Sequence, residues 1–412
     1  MGLKSRDHTI LLKNFSFLTI LRGLNVAVKF FLAAYLIRVL GSITYGVLTW
    51  VDAIIQYGLI IINFGFNIYA AKYVVQYKDD CTTLNRITSS IFIIKFAFFL
   101  LSLVTVTLLG YFSLFESYHQ LMILMIFMGL GEVFFPIWYF QGVEKLQYAT
   151  YITVFSRVVL VVSTICLVTT QDDLIMYIVL LIFSNLCMGG LGYYTLKKHY
   201  NFRFTPVSLL LLKQILNDAY LFFLGLFLSL TFNLLTVFLI GVYYTMAYVS
   251  GFDIALKIVL VFIIPFDIFQ QALYPTITRT KNKILLKKIV WLSLLIGCFF
   301  SVLLYVFSEQ LITLFGGKDL VAFDNVLKTL AIIPPIVAVT FILGTCTLVA
   351  FGYQKEFNKS LIISSFVFII AVIILRGLEL LTFWNLIYLR VFSDLVLMLL
   401  RVYYVRINKI LL

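Results

Sequence analysis

The chain has 412 residues, of which 63% are hydrophobic and only 12% are charged, and its formal net charge is +13. A soluble domain is typically about a quarter charged, so this composition excludes a soluble enzyme and predicts an all-α, multi-pass membrane protein. The positive charge does not indicate nucleic-acid binding, because the basic residues lie in the loops between apolar segments. The five cysteines and three histidines are scattered, so no metal or other cofactor is predicted.

The first long apolar segment carries one narrow polar stripe. Arg22 and Lys29 lie two helical turns apart, and Asn25 falls close to the same line. A central cation costs about 2.5–3.5 kcal/mol on insertion scales, so this stripe must face protein or water. Snorkelling from a helix end is the alternative, but it does not suit two central residues. The pattern therefore favours a functional pair of cations over structural counter-charges.

About twelve transmembrane helices are predicted, and every connection between them is short. The halves of the chain show weak similarity, with Asn14 and Tyr45 aligned on Asn217 and Tyr248. A parallel repeat of this kind predicts two six-helix lobes, 1–205 and 206–412, around a central cavity. The predicted spans are 14–37, 45–70, 87–112, 118–141, 150–169, 174–196, 214–243, 251–274, 289–307, 326–352, 360–375 and 383–405.

Several later spans also carry polar faces. On the second span, four polar side chains fall within roughly sixty degrees of one another: Asp52, Gln56, Asn63 and Asn67. Such faces suit a water-filled cavity, but hydrogen bonding between helices explains them equally well. The pairs Asp253–Lys257 and Arg390–Asp394 have the spacing at which opposite charges neutralise each other. The candidates for substrate binding are Arg22, Asn25, Lys29, Gln56, Asn63, Asn233 and Lys257, and those for ion coupling are Asp52, Glu132 and Asp253.

The distribution of lysine and arginine predicts the orientation of the chain. These residues are concentrated at both termini and in the even-numbered loops, for example in the segment 279–288. The odd-numbered loops contain only Arg38, Lys318 and Arg376. Because loops rich in lysine and arginine stay in the cytoplasm, both termini are predicted to be cytoplasmic.

One motif in the fourth span is specific enough to indicate a family. The residues Pro136, Trp138, Gln141, Gly142 and Glu144 resemble the P-x-W-x-x-Q-G-x-E signature of the O-antigen flippases (Wzx-type). That family belongs to the multidrug/oligosaccharidyl-lipid/polysaccharide (MOP) exporter superfamily. The segments 38–46 and 241–258 are similar to further patterns of the family, and the resemblance covers essentially the whole chain.

The resemblance implies a transporter rather than an enzyme. Such proteins move a polyprenyl-diphosphate-linked oligosaccharide from the cytoplasmic to the periplasmic leaflet of the bacterial inner membrane, and a polysaccharide polymerase and a chain-length regulator are possible partners. In this chain the cations Arg22, Lys29 and Lys257 could receive the diphosphate. Asparagine and glutamine side chains could bind sugar hydroxyls while the lipid tail stays in the bilayer.

Three alternatives remain open at this point. A lipid II flippase has nearly the same chemistry and is not excluded by charge. A cation-coupled antiporter of the same superfamily would need an anionic cleft, which the basic first span disfavours. An O-antigen polymerase would have a long periplasmic loop, and the sequence contains none. The sequence also lacks a Walker A motif, so ATP is not the direct energy source.

The predicted orientation can be tested by labelling cysteines from outside the cell. In a cysteine-free background, Thr280→Cys should not react with a membrane-impermeant thiol reagent in intact cells, because the basic segment 279–288 is cytoplasmic. A matched cysteine at Ser117, in a predicted periplasmic loop, should react. Equal labelling at the two positions would overturn the orientation.

Overall fold

The structure is a computed structural model that describes residues 5–78 and 80–411, with side chains described from Phe17 onward except those of Leu18, Arg22 and Ile68. All regular secondary structure in this part is helical, which confirms the all-α class. The helices are α1 (Ser5–Asn63), α2 (Phe66–Gln76), α3 (Cys81–Leu109), α4 (Ser113–Glu116), α5 (His119–Ile126), α6 (Met128–Phe134), α7 (Ile137–Gly142), α8 (Leu146–Leu167), α9 (Leu174–Tyr200), α10 (Leu209–Tyr243), α11 (Met246–Thr280), α12 (Lys283–Val306), α13 (Ser308–Gly316), α14 (Asp324–Leu330), α15 (Ile333–Phe341), α16 (Gln354–Gly377) and α17 (Phe383–Ile407). A 3₁₀ turn (Lys318–Phe323) precedes α14, and a π-helix (Ile342–Val349) continues α15.

Membrane-spanning helices dominate the chain. Within residues 5–78 and 80–411, nine helices are long and apolar enough to cross a membrane, or ten if the bent pair Lys318–Leu330 and Ile333–Val349 forms one span. The first of the nine, Thr19–Asn63, is 45 residues long. It includes Gly41, whose φ of 81° interrupts the helix, and it covers most of the first two predicted spans. The protein is therefore a multi-pass membrane protein, and the count of twelve stays a prediction.

The described chain divides into two compact units that alternate along the sequence. Unit 1 comprises the residues up to Val28 together with Val51–Phe227. Unit 2 comprises Lys29–Trp50 and Leu228–Leu412. The long helices α1 and α10 each contribute residues to both units. The lobes 1–205 and 206–412 stay a prediction.

Each unit has its own apolar core. In unit 1 one cluster packs α2 and α3 around the fully buried Trp138 and Phe66, with Phe92 and Phe202 beside them. In unit 2 one cluster joins α11, α12 and the π-helix through Ile277, Leu286 and Ile342. Aromatic side chains bury more area than aliphatic ones and prefer edge-to-face contacts. Phe92 makes such contacts with Tyr193 and Phe202.

A turn at Phe64 and Gly65 corrects one prediction about the second span. Both residues have positive φ, 40° and 74°, and α2 begins only after them. Asn67 therefore lies on a different helix from Asp52, Gln56 and Asn63 and does not share their face. A side chain at position 65 would meet Phe222 Cβ at 2.7 Å, so glycine is needed here for its conformation and for its small size.

The fourth predicted span is broken at Pro136, beside a buried lysine. Phe135 is extended, as a residue before proline tends to be, and α7 starts only at Ile137. In a continuous helix the Glu132 carbonyl would accept a hydrogen bond from the N–H of residue 136, but proline has none. The ammonium of Lys95, which is 1% exposed, donates to this carbonyl instead. Lys95 thus satisfies a backbone group that the proline leaves without its helical partner.

We predict that Lys95 and Pro136 are energetically coupled. Lys95→Met should strand the buried Glu132 carbonyl and cost about 1–3 kcal/mol of stability. Pro136→Ala restores an N–H that can serve this carbonyl. The double variant should therefore lose less stability than the two single variants added together, by about 0.5–3 kcal/mol. Thermal unfolding of the purified proteins in one detergent measures this coupling.

The exposed Lys359 provides the matched control, since Lys359→Met removes the same ammonium from a solvated position. It should leave the melting temperature unchanged, whether or not Pro136→Ala is also present. Strictly additive costs for Lys95→Met and Pro136→Ala would show that the ammonium does not replace the missing N–H.

Candidate functional site

The polar stripe of α1 gains a cation from another helix. The side chain of Arg22 lies outside the described residues, but Asn25 is described and its Oδ1 accepts a hydrogen bond of 3.3 Å from Arg157 Nε of α8. Arg157 is half-buried. The sequence does not predict this role for Arg157, because Asn25 is 132 residues away and no local spacing indicates the contact. Lys29, one turn beyond Asn25 along α1, belongs to unit 2 and is exposed.

Two further candidates of unit 1 lie together. Asn63 Nδ2 donates to Glu132 Oε2 at 3.2 Å and also to the Leu59 carbonyl oxygen at 3.1 Å. The Glu132 carboxylate also interacts electrostatically with Arg157. Asn25, Asn63, Glu132 and Arg157 therefore form one connected set, which we call the unit 1 polar group. It joins a substrate-binding candidate on α1 to an ion-coupling candidate on α6 through a cation from α8.

Asp52 and Gln56 form a separate contact on the same unit. Gln56 Nε2 donates to Asp52 Oδ1 at 3.1 Å, one turn away on α1, and both side chains are half-buried. The partner of this carboxylate is a neutral amide, so its negative charge is solvated but not neutralised by that bond. This separates Asp52 from carboxylates that are bound directly to a cation.

In unit 2 a tyrosine joins the predicted pair of Asp253 and Lys257. Lys257 Nζ lies 2.5 Å from Asp253 Oδ2 and donates to the hydroxyl of Tyr45 at 2.7 Å. That hydroxyl donates in turn to Asp253 Oδ2 at 2.6 Å. Asp253 and Tyr45 are buried and Lys257 is half-buried, so the carboxylate of this triad is held in a largely buried network. The contact of opposite charges confirms the pairing expected from the i, i+4 spacing.

A second closed network holds Asn233. Its Oδ1 accepts from Arg390 Nε at 2.6 Å, and the same guanidinium binds Asp394 Oδ2 at 2.6 Å. Arg390 also lies over the ring of Phe232, with 5.9 Å between its Cζ and the ring centroid. Asn233 was predicted to bind substrate, but in this arrangement its carbonyl oxygen orients a buried ion pair.

One buried cation in unit 2 has backbone partners instead of a carboxylate. Arg401 is 4% exposed, donates to the Thr340 carbonyl oxygen at 2.7 Å and covers the ring of Phe357 at 4.5 Å. A side chain at Gly344, inside the π-helix, would meet its Nη1 at 2.3 Å. A π-helix often marks a specialised place in a helix, and here a glycine in it makes room for the guanidinium.

The residues of the family motif lie in and around α7: Pro136 precedes the helix, Trp138, Gln141 and Gly142 belong to it, and Glu144 follows it in the turn before α8. Trp138 is fully buried, and its Nε1 has no hydrogen-bond partner among the described residues. Gly142 lies against α2, where a side chain would meet Val74 Cβ at 2.4 Å. Glu144 has a φ of 57° and ends the turn, while Gln141 is exposed. With the helix break at Pro136, four of the five motif residues thus have conformational or packing roles.

No group of three histidine, cysteine, aspartate or glutamate side chains in the described part of the chain could hold a metal ion. The polar groups of both units consist of cations, amides, hydroxyls and carboxylates, mostly bound to one another. Such groups can bind polar solutes or exchange protons, and none of them is arranged as a nucleophile with its base.

The long apolar helices and the membrane-embedded polar networks define a multi-pass membrane transporter. Residues 11–281 match the family described as "Polysaccharide biosynthesis protein". The chain therefore belongs to this family. It is a transporter rather than an enzyme.

Comparisons with individual proteins agree with this assignment. A protein of Escherichia coli (strain K12), provisionally named an O-antigen transporter, is 25% identical over 85% of this chain and 86% of its own length. Among solved structures, an inward-facing multidrug resistance MATE family transporter of the MOP superfamily has a TM-score of 0.71 at 14% identity and covers 94% of both chains. Lipid II flippase MurJ has a TM-score of 0.71 at 15% identity, with 98% of this chain and 89% of that chain covered. These structures share the fold.

Proposed function

We propose that this transporter moves a polyprenyl-diphosphate-linked oligosaccharide from the cytoplasmic to the periplasmic leaflet of a bacterial inner membrane, by alternating access. The family and the provisional name of the Escherichia coli relative support a substrate from polysaccharide biosynthesis. A polysaccharide polymerase and a chain-length regulator would act next on the same lipid, and contact with them stays a prediction.

The observation that carries this proposal is the hydrogen bond between Asn25 and Arg157. It brings a guanidinium to the helix that also carries Arg22 and Lys29, so positive charge is gathered along one membrane helix. A guanidinium presents its donors in a planar fork that matches phosphate oxygens. A diphosphate entering hydrocarbon would otherwise lose its hydration at great cost.

The other cations of the membrane region are less suited to the diphosphate. Lys257 is bound to Asp253 and Tyr45, and Arg390 to Asp394. Lys95 and Arg401 are bound to backbone carbonyls. Within the described residues, the hydrogen-bond partner of Arg157 is an amide, and Glu132 interacts with it electrostatically. We therefore assign Arg22 and Arg157 of unit 1 to the diphosphate, and Gln56 and Asn63 to sugar hydroxyls. A contribution from Lys29 stays a prediction from the sequence.

The test is complementation of a strain that lacks the gene. Deletion should abolish long-chain surface polysaccharide and cause short lipid-linked units to accumulate on the cytoplasmic side. Arg22→Gln, Lys29→Gln and Arg157→Gln should reach normal membrane levels yet fail to restore the polysaccharide, because they remove charge but keep polarity. Lys29→Arg, which keeps the charge, should restore it, and so should Lys359→Gln at an exposed position near the start of α16.

Other outcomes would point elsewhere. Accumulation of complete units in the periplasm would indicate a polymerase, and loss of cell-wall synthesis with intact surface polysaccharide would indicate a lipid II flippase. Restored function on adding Asp52→Asn to the glutamine variants would show that the cations are counter-charges. In that case the assignment of the diphosphate to α1 would be wrong.

We also propose that Asp52 carries the coupling ion, ahead of Glu132 and Asp253, because the hydrogen-bond partner of its carboxylate is a neutral amide. Asp52→Asn should keep normal protein levels and substrate binding but lose the dependence of transport on the ion gradient. Asp253→Asn should instead lower the protein level, because it strands the Lys257 ammonium beside a buried core. Transport into inverted vesicles, with and without an imposed gradient, separates these results. Full gradient dependence in Asp52→Asn would exclude Asp52.

A further inference from the structure

A row of tyrosines follows one face of the short helix α2 in unit 1. Tyr69, Tyr73 and Tyr77 follow one another at intervals of about one helical turn. Tyr77 is the C-terminal cap of α2. The ring centroids of Tyr69 and Tyr73 are 4.7 Å apart, and those of Tyr73 and Tyr77 are 6.2 Å apart and stacked. We call this row of three tyrosine rings, Tyr69, Tyr73 and Tyr77, the aromatic ladder.

A carboxylate from α10 stands beside this ladder. Asp218 Oδ2 accepts hydrogen bonds from the Tyr69 hydroxyl at 3.3 Å and from the Tyr73 hydroxyl at 3.1 Å. Asp218 is exposed, and it forms no salt bridge with any cation in the described part of the chain. Both of these hydrogen bonds reach Oδ2, so among the described residues no hydrogen bond occupies Oδ1 of this exposed carboxylate.

Close packing between α2 and α10 fixes this arrangement. Ile215 and Ala219, on either side of Asp218, are buried in the same cluster as Phe66 and Val74 of α2. One turn further along α10, Phe222 lies against Gly65, at the start of α2. Because the backbone on both sides of Asp218 is packed, its position relative to Tyr69 and Tyr73 is set by the core and does not depend on a mobile loop.

An aromatic ring beside a carboxylate can contact both the apolar C–H groups and the polar hydroxyls of a pyranose. The C–H groups on one face of the sugar pack against an aromatic ring, and neighbouring hydroxyls donate to the two oxygens of a carboxylate. A negative carboxylate disfavours acidic sugars and favours neutral ones by simple electrostatics. The half-buried rings of Tyr73 and Tyr77 offer surface to a sugar, whereas Tyr69 is buried and holds Asp218 through its hydroxyl.

Anchoring at the membrane surface is the plainer explanation, because tyrosines are enriched there. Two observations argue against it. Tyr69 is only 5% exposed, and its hydroxyl is directed at Asp218 instead of the headgroup layer. Asp218, which has no cation partner among the described residues, is also unsuited to the surface of an anionic membrane.

We propose that Tyr69, Tyr73, Tyr77 and Asp218 form a binding site for the neutral sugars of the substrate. In the predicted orientation this end of α2 faces the cytoplasm, where a lipid-linked oligosaccharide would first meet the protein. The inference rests on the proposed function and extends it: the cations of α1 and α8 take the diphosphate, and the ladder selects the sugar.

The experiment measures binding of two separate probes to the purified full-length protein in nanodiscs by calorimetry. One probe is the neutral repeat-unit oligosaccharide released by mild acid from lipid-linked material of the deletion strain, and the other is undecaprenyl phosphate. Tyr73→Ala and Asp218→Asn should each weaken oligosaccharide binding about tenfold or more and leave undecaprenyl phosphate binding unchanged. Tyr73→Phe, which keeps the ring, should retain most of the affinity.

The matched control is Tyr220→Ala, which removes an exposed tyrosine from α10 that is not part of the ladder. Oligosaccharide binding within twofold of the unmodified protein in Tyr73→Ala and Asp218→Asn would overturn the inference, as would an equal loss in Tyr220→Ala. Failure of the unmodified protein to bind either probe would instead contradict the proposed function. Melting temperatures of all variants show whether a loss of binding reflects a loss of folding.

Discussion

A polar group inside hydrocarbon must find its partner within the protein, and most of the internal arrangement of this chain follows from that requirement. The break at Pro136 illustrates it. Proline removes the donor for the Glu132 carbonyl, and a lysine that would be costly anywhere else in the membrane supplies a replacement. The hydrogen bond between them lowers both the free-energy cost of burying the Lys95 ammonium and the cost of leaving the Glu132 carbonyl without its helical partner.

The same requirement separates the ionised side chains into two kinds. Asp253 and Asp394 are bound to cations on their own helices, and removing either partner would leave a buried charge. Asp52 and Glu132 have amide partners, and Arg157 binds an amide too. A group solvated by an amide keeps its net charge and can exchange that partner for a substrate or an ion at modest cost. The amide-bound residues are therefore the better candidates for transport.

Local patterns explain which features could be predicted from the sequence. The apolar spans and the pair Asp253–Lys257 depend on residues within a few turns of one another, so periodicity is sufficient to find them. The third member of that network, Tyr45, is 208 residues from Asp253, so no local sequence pattern predicts its contact with Asp253. The turn at Phe64 and Gly65 was also not predicted, because the only local signal is a glycine between polar positions that fit one helical face, and the contact with Phe222 of α10 is distant in sequence. The motif around Trp138 indicated the family correctly, yet most of its residues serve packing and not substrate contact.

The proposed separation of charge recognition from sugar recognition within unit 1 would have a physical advantage. A diphosphate is the same in every lipid-linked sugar, so a cationic helix that binds it gives affinity without discrimination. Specificity is a difference between affinities and needs contacts that only one substrate satisfies. Aromatic rings beside Asp218 offer such contacts, because a neutral sugar can stack and donate hydroxyls while an acidic sugar is repelled. Changes confined to α2 and the first turns of α10 could then alter the sugar that is accepted and leave the polar networks of the membrane segments intact.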